Sequence, residues 1–104
     1  MTVIVTRDVA ARVRGFLASC MLEIGPGVYT APRMTPAVRE RVWAVLGAWF
    51  TETGGASIVM TWHDSRLPGG QELRTLGLPP CELLEQDGVF IVRKRTGQEV
   101  TALK

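Results

Sequence analysis

Hydrophobic residues in the first quarter of the chain form a strand-like run followed by a helical spacing. The β-branched run at residues 3–5 predicts a buried first strand. Asp8 lies where a helix N-cap is expected, and Gly25-Pro26-Gly27 is placed to end that helix. Between them, apolar residues recur every three or four positions and define one buried helix face; they are Val9, Val13, Leu17, Cys20, Met21 and Ile24. Cys20 is therefore expected to be a buried, unreactive thiol.

The rest of the chain predicts one more helix among several strands. A short strand is expected at residues 28–30, followed by Thr35 as a helix cap with Pro36 in the first turn. The helix ends at Thr53-Gly54-Gly55, and its apolar face is formed by Val38, Val42, Val45, Leu46 and Trp49. Further strands are predicted at residues 57–62, 72–76 and 89–92, with a loop over residues 63–70.

This order of elements predicts an α+β fold. Two helices on one face of an antiparallel sheet make a ferredoxin-like sandwich. The extra C-terminal strand comes after the compact core is complete. It pairs either with an edge of its own sheet or with the sheet of a partner. We expect one ferredoxin-like domain over residues 1–92 and a polar tail over residues 93–104.

Composition narrows the possible partners and compartment. Hydrophobic residues make up 46% of the 104 residues and charged ones only 21%, which suggests an apolar surface buried against another chain. A net charge of +2 permits nucleic-acid binding without demanding it. Cys20 and Cys81 have no metal-site or disulfide spacing. We find no secretory signal and no apolar run of about 18 residues, so we expect a cytoplasmic protein without a membrane partner.

Several segments carry a shared family pattern. They are residues 3–9 with 12–15, residues 21–24 with 27–29, residues 38–40 with Trp43, and residues 75–78. In this order and spacing, over residues 2–92, they resemble the CRISPR-associated endoribonuclease family in its type I-E branch. The resemblance implies a ferredoxin-like homodimer that sits between dimers of a larger CRISPR integrase subunit. Such a dimer spans the middle of a captured double-stranded DNA during spacer acquisition in antiviral defence.

The resemblance leaves more than one function open. The first is the DNA-binding scaffold just described, in which the last strand helps to bind the larger subunit. The alternative is a Mg²⁺-dependent endonuclease that cleaves RNA or DNA at the dimer axis, because many family members are named metal-dependent nucleases. A third possibility, a small-molecule-sensing regulatory domain, has no ligand motif in the sequence.

The candidate nucleic-acid-binding residues are arginines. Arg12 and Arg14 match residues that the branch uses on DNA phosphates, although an ordinary solvated helix face has the same pattern. Arg39 lies in a Val-Arg-Glu triplet that lines up with the pattern of the branch, which implies a contact with DNA. Alternatively, Arg39 pairs with a helix carboxylate. The branch places further basic residues where this chain has Pro79-Pro80-Cys81. The row of phosphate contacts is therefore either shorter in this chain or completed by other residues, for which the candidates are Arg33, Arg66 and Arg74.

Asp8 is the candidate catalytic residue and metal ligand. In the wider family an acidic residue closes the first strand, and two copies near the dimer axis would hold Mg²⁺. Strict alignment instead places Arg7 at that position, and Asp8 would face the opposite side of the strand. The competing role for Asp8 is the helix N-cap, which is worth about 1 kcal/mol.

The remaining candidates are His63-Asp64 and the tryptophans. His63 beside Asp64 is either a general base or metal ligand or a plain loop residue. Trp43, Trp49 and Trp62 are either stacking platforms for bases or core residues. The apolar pattern favours the core for Trp49 and Trp62.

Overall fold

The computed structural model describes residues 1–94, which form strands β1 to β7 and helices α1 and α2. In chain order the elements are β1 (Thr2–Arg7), α1 (Ala11–Cys20), β2 (Leu22–Gly25), β3 (Val28–Ala31), α2 (Pro36–Thr53), β4 (Ser57–His63), β5 (Gln71–Gly77), β6 (Cys81–Gln86) and β7 (Val89–Lys94). The predicted α+β class is confirmed, and the arrangement is compatible with a ferredoxin-like fold. Within these residues, neither helix has the length and apolar character that crossing a membrane requires.

A five-stranded antiparallel sheet forms the centre of the fold. Its strand order is β2-β3-β1-β4-β5, so β1 lies between β3 and β4. Residues directly opposite one another in such a sheet point to the same face. Ile4 pairs with Tyr29 on one side and with Met60 on the other, and all three are fully buried. This face therefore packs on the helices, which contribute Val13, Leu17, Val42 and Leu46 to the same core.

The first helix is shorter than predicted. It begins after Ala10, whose side chain makes no cap hydrogen bond, so Asp8 is not the N-cap. Asp8 instead lies in the turn before the helix with a positive φ of 59°. The chain becomes extended at Met21 and continues as β2, although the apolar spacing predicted helix through Ile24. The prediction that Cys20 is buried is also wrong, because it is exposed at the end of the helix.

The second helix follows its local signals closely. The Thr35 hydroxyl accepts a hydrogen bond from the Val38 amide at 3.2 Å, and Pro36 is the first helical residue. Gly54 ends the helix with a φ of 69°, a conformation that glycine adopts without strain. The predicted cap, start and end are therefore all confirmed.

The last two strands form a hairpin of their own. Within the chain, β7 pairs with β6, a strand that the sequence did not predict, rather than with an edge of the main sheet. The hairpin turn is attached to the β4–β5 loop, where the Gly69 amide donates to the Gly88 carbonyl at 3.1 Å. β7 also lies beside β5. Of the predicted polar tail, residues 95–104 lie outside those described.

Candidate nucleic-acid interface

Arg12 and Arg14 lie on opposite sides of the buried stripe of α1. Val13, between them, is completely buried, and both arginines are exposed. Successive residues turn by about 100° around a helix, so positions two apart point in nearly opposite directions. Arg12 faces α2, whereas Arg14 lines a cleft beside the β2–β3 turn at Gly27. The fold therefore does not bring the two predicted arginines together at one point.

Arg12 is held by two groups from the end of α2. Its Nη2 donates to Glu52 Oε2 at 3.1 Å, and its Cζ lies 4.6 Å from the centre of the Trp49 ring. Phe16 contacts the same tryptophan edge-on, with ring centres 5.3 Å apart. The guanidinium group is thus oriented over the outer surface of the helix layer. Glu52 was not predicted as a functional residue, because it lies 40 residues from Arg12.

Asp8 is exposed and shares a cleft of about 300 Å³ with Arg7 and Arg14. Arg7 also donates to the Leu78 carbonyl at 3.2 Å. Mg²⁺ prefers several oxygen ligands, and nearby cations oppose its binding. Among residues 1–94, no group of three or more His, Cys, Asp or Glu side chains could hold a metal ion. One carboxylate between two arginines does not fit a magnesium site in this chain.

Arg39 forms one side of a stacked cluster around Trp62. Its Cζ lies 4.1 Å from the centre of the Trp62 ring, and the Cζ of Arg74 lies 5.1 Å from it. Arg74 forms the ion pair with Glu40, at 2.6 Å between Nη2 and Oε2. The hydrogen bond from Arg74 lowers the pKa of Glu40. Glu40, the residue after Arg39 on the helix, is therefore paired with Arg74, and Arg39 forms no ion pair with a described residue.

The β4–β5 loop is organised by Asp64 and Arg66. Asp64 Oδ1 accepts from the Arg66 amide and from Nε, each at 3.0 Å, and Oδ2 accepts from Nη2 at 2.8 Å. These hydrogen bonds lower the pKa of Asp64 to about 2. The Asp64 carboxylate thus binds Arg66 and anchors the loop. This arrangement favours a structural role for Asp64 over a catalytic pair with His63, which is the last residue of β4 and not part of the predicted loop.

The tryptophans belong to the core and its edge. Trp62 is buried, and Trp43 and Trp49 are partly buried and pack against the same core. The prediction of core packing for Trp49 and Trp62 is therefore confirmed. Arg12 also stacks on the ring of Trp49, and Arg39 stacks on that of Trp62. The apolar pattern did not reveal this second role in orienting arginines.

The sheet face opposite the helices is apolar and partly open. Leu22 pairs with Thr30 of β3, and Val5 pairs with Val59 of β4, away from the buried face. Val5 is exposed, and Leu22 and Ile24 of the edge strand are 66% and 62% exposed. Composition suggested an apolar surface, but the sequence did not locate it, because the helical spacing assigned Ile24 to the buried face of α1.

A family model described as CRISPR-associated protein (Cas_Cas2CT1978) matches residues 1–91. The match spans both helices, the central sheet and most of the terminal hairpin. It agrees with the resemblance at the level of a CRISPR-associated, Cas2-like family.

Proposed function

We propose, because the chain belongs to this family of CRISPR-associated proteins, that it acts in spacer acquisition as a homodimeric, DNA-binding scaffold of the type I-E branch. In this role it bridges copies of a larger integrase subunit on a captured DNA duplex. The observation that best supports this proposal is the position of Arg12, which α2 holds on the outer surface of the helix layer. Arg14 beside the β2–β3 turn and Arg39 at the start of α2 are separate candidate contacts to phosphate.

Arginines on a helix layer suit a scaffold that accepts DNA of any sequence. Contacts to phosphate oxygens position a protein on the duplex but carry no sequence information. The guanidinium group is planar and charged at every physiological pH, and its N–H groups match phosphate oxygens. A protein that bridges foreign DNA of arbitrary sequence needs this kind of contact.

The open apolar sheet face supports the homodimer in this proposal. Val5, Leu22 and Ile24 expose apolar surface that a second copy would remove from water. Packing two sheets face to face leaves the helices of both copies on the outside. Each protomer would then present its arginines outward, so one dimer would offer two phosphate-binding surfaces on its opposite sides.

The decisive experiment measures duplex binding by an Arg12→Ala/Arg14→Ala double variant. Fluorescence anisotropy with a mixed-sequence duplex should show weaker binding, with a salt slope lower by about 0.9 for each phosphate that the variant no longer neutralises. Arg93→Ala is the matched control, because Arg93 is exposed and paired with Glu82 on the terminal hairpin. Unchanged affinity of the double variant would contradict the proposed surface. Copurification with the larger integrase subunit on the duplex tests the bridging role.

A further inference from the structure

A cleft of about 350 Å³ opens between the start of α2 and the β4–β5 loop. We call it the Arg66 cleft; its lining includes Arg39, Trp62, His63, Asp64, Ser65 and Arg66. Arg39 comes from the helix, Trp62 and His63 come from the end of β4, and the loop supplies the other three. The cleft thus combines an aromatic ring with two arginines and a histidine.

The charges lining the Arg66 cleft are unbalanced. Asp64 is its one carboxylate and is already bound to Arg66. Arg39 forms no ion pair with any described residue, and its Nε is buried without a hydrogen-bond partner among them. The charge of Arg39 also lowers the pKa of Asp64 and of Glu40, but both carboxylates are bound to other arginines. A cation that is partly removed from water without a paired anion of its own is costly. An anion in the cleft would offset that cost.

Arg66 is held with one edge of its guanidinium group turned toward Asp64. Nε and Nη2 donate to the carboxylate, yet the side chain is 86% exposed. A guanidinium group has five N–H donors, so those on Nη1 stay available on the outer edge. Arg74, in contrast, is 33% exposed, is paired with Glu40 and contacts Trp62. Arg66 is therefore better placed than Arg74 to replace the basic residues missing near Pro79.

We infer that the Arg66 cleft binds a phosphate group of the DNA backbone, with Arg39 and Arg66 as its ligands and Asp64 as a positioning residue. The inference rests on the proposed function. Oxygen atoms of a phosphate match the donors of two arginines in both charge and geometry. The cleft therefore supplies a contact that neither α1 arginine provides.

The length of α2 sets the spacing between this contact and Arg12. Arg39 and Glu52 are 13 residues apart on the same helix, which corresponds to about 20 Å at 1.5 Å per residue. Arg12 is bound to Glu52, so it marks the far end of the helix. Phosphates along one strand of a duplex advance by about 3.4 Å each. A duplex lying along α2 would therefore be contacted at phosphates separated by about six base pairs along its axis, on whichever strand faces the helix.

The first test compares two arginines that are bound in the same way. Arg93 contacts Glu82 through Nε and Nη2, as Arg66 contacts Asp64. Anisotropy with a mixed-sequence duplex should show about 3- to 10-fold weaker binding for Arg66→Ala and less than 2-fold for Arg93→Ala. If Arg66→Ala and Arg93→Ala bind alike while Arg12→Ala/Arg14→Ala binds weakly, the cleft is not a DNA contact and the proposed function stands. If the Arg12→Ala/Arg14→Ala variant also binds the duplex normally, both the proposed DNA contact in the cleft and the proposed function are wrong.

The second test asks whether Asp64 orients Arg66 or only neutralises it. Asp64→Asn and Glu82→Gln each remove one negative charge and release one arginine. If Asp64 orients Arg66, Asp64→Asn should bind the duplex no more tightly than the unmodified protein. Tighter binding by Asp64→Asn than by Glu82→Gln would overturn the positioning role.

The third test identifies the source of the phosphate. Inorganic phosphate and the duplex are titrated separately while NMR follows the indole N–H signal of Trp62, with Trp43 as the internal control. Both titrations should move the Trp62 signal and leave that of Trp43 nearly unchanged. A response to inorganic phosphate without a response to the duplex would assign the cleft to a small phosphate compound and overturn the inference.

Discussion

Replacing Glu52 by Gln should strengthen duplex binding if Arg12 contacts DNA. In the free protein Glu52 accepts a hydrogen bond from Arg12 and competes with phosphate for the same guanidinium group. Glutamine has nearly the same size as glutamate, so Arg12 should still stack on the Trp49 ring. The substitution therefore removes the competing charge while it retains the orientation of the arginine.

The size of the effect follows from the exposure of the pair. The Arg12 and Glu52 side chains are 47% and 64% exposed, which places the pair among exposed ion pairs worth about 0.2–1 kcal/mol. One duplex contacts the outer surface of one protomer, so a value of about 0.5 kcal/mol applies. At 1.4 kcal/mol per tenfold change in affinity, this corresponds to about twofold tighter binding. The same range for exposed ion pairs limits the loss of folding stability in Glu52→Gln to less than about 1 kcal/mol.

The assay is fluorescence anisotropy with a mixed-sequence duplex over a series of salt concentrations. Glu82→Gln is the control, because it also removes one negative charge and releases an arginine, Arg93, on the β6–β7 hairpin. The difference between the two variants should shrink as salt screens surface charges. Equal affinities for Glu52→Gln and Glu82→Gln at low salt would show that Arg12 does not contact the duplex.

Further predictions concern catalysis, assembly and acid stability. Asp8→Asn should leave integration by the reconstituted complex unchanged, and a loss at intact assembly would favour a catalytic carboxylate. Ile24→Asp should give a folded monomer by circular dichroism and light scattering, whereas an intact dimer would contradict the proposed sheet interface. Arg66 lowers the pKa of Asp64 from 3.8 to about 2. The ionised Asp64 therefore contributes fully to folding stability above pH 3.8, and this contribution is lost as pH falls through 2. In urea unfolding, the Asp64→Asn variant should not show this loss of folding stability at acid pH.

Elements with local signals were predictable from the sequence. In α2, Thr35, Pro36 and Gly54 fix both ends through hydrogen bonds and backbone preferences that depend only on nearby residues. The alternation of Ile58, Met60 and Trp62 with Ser57, Val59 and Thr61 likewise predicted the strand β4, and the structure buries the first set.

The region from α1 to β2 was not predictable, because its apolar residues serve two surfaces. Met21 is buried in the core, whereas Leu22 and Ile24 belong to a strand at the sheet edge and are exposed. A strand with apolar residues on both faces loses the two-residue alternation that distinguishes it from a helix. In β6 the adjacent residues Leu83 and Leu84 interrupt the alternation in the same way.

The candidate site was predictable only as a set of arginines. The sequence pointed to Arg12, Arg14 and Arg39, but their surroundings depend on contacts between distant parts of the chain. Glu52 lies 40 residues from Arg12, and Glu40 lies 34 residues from Arg74. No local pattern indicates which carboxylate meets which arginine.

The partners of the arginines bear on the choice between scaffold and nuclease. Glu40, Glu52, Asp64 and Glu82 each accept hydrogen bonds from an arginine. Carboxylates engaged in this way are poorly placed to gather around a metal ion. The exposed pair of Arg12 and Glu52 is also weak, so a phosphate can replace Glu52 at little cost. A protein with a net charge of only +2 can in this way keep arginines in place for DNA without strong repulsion between them in its absence.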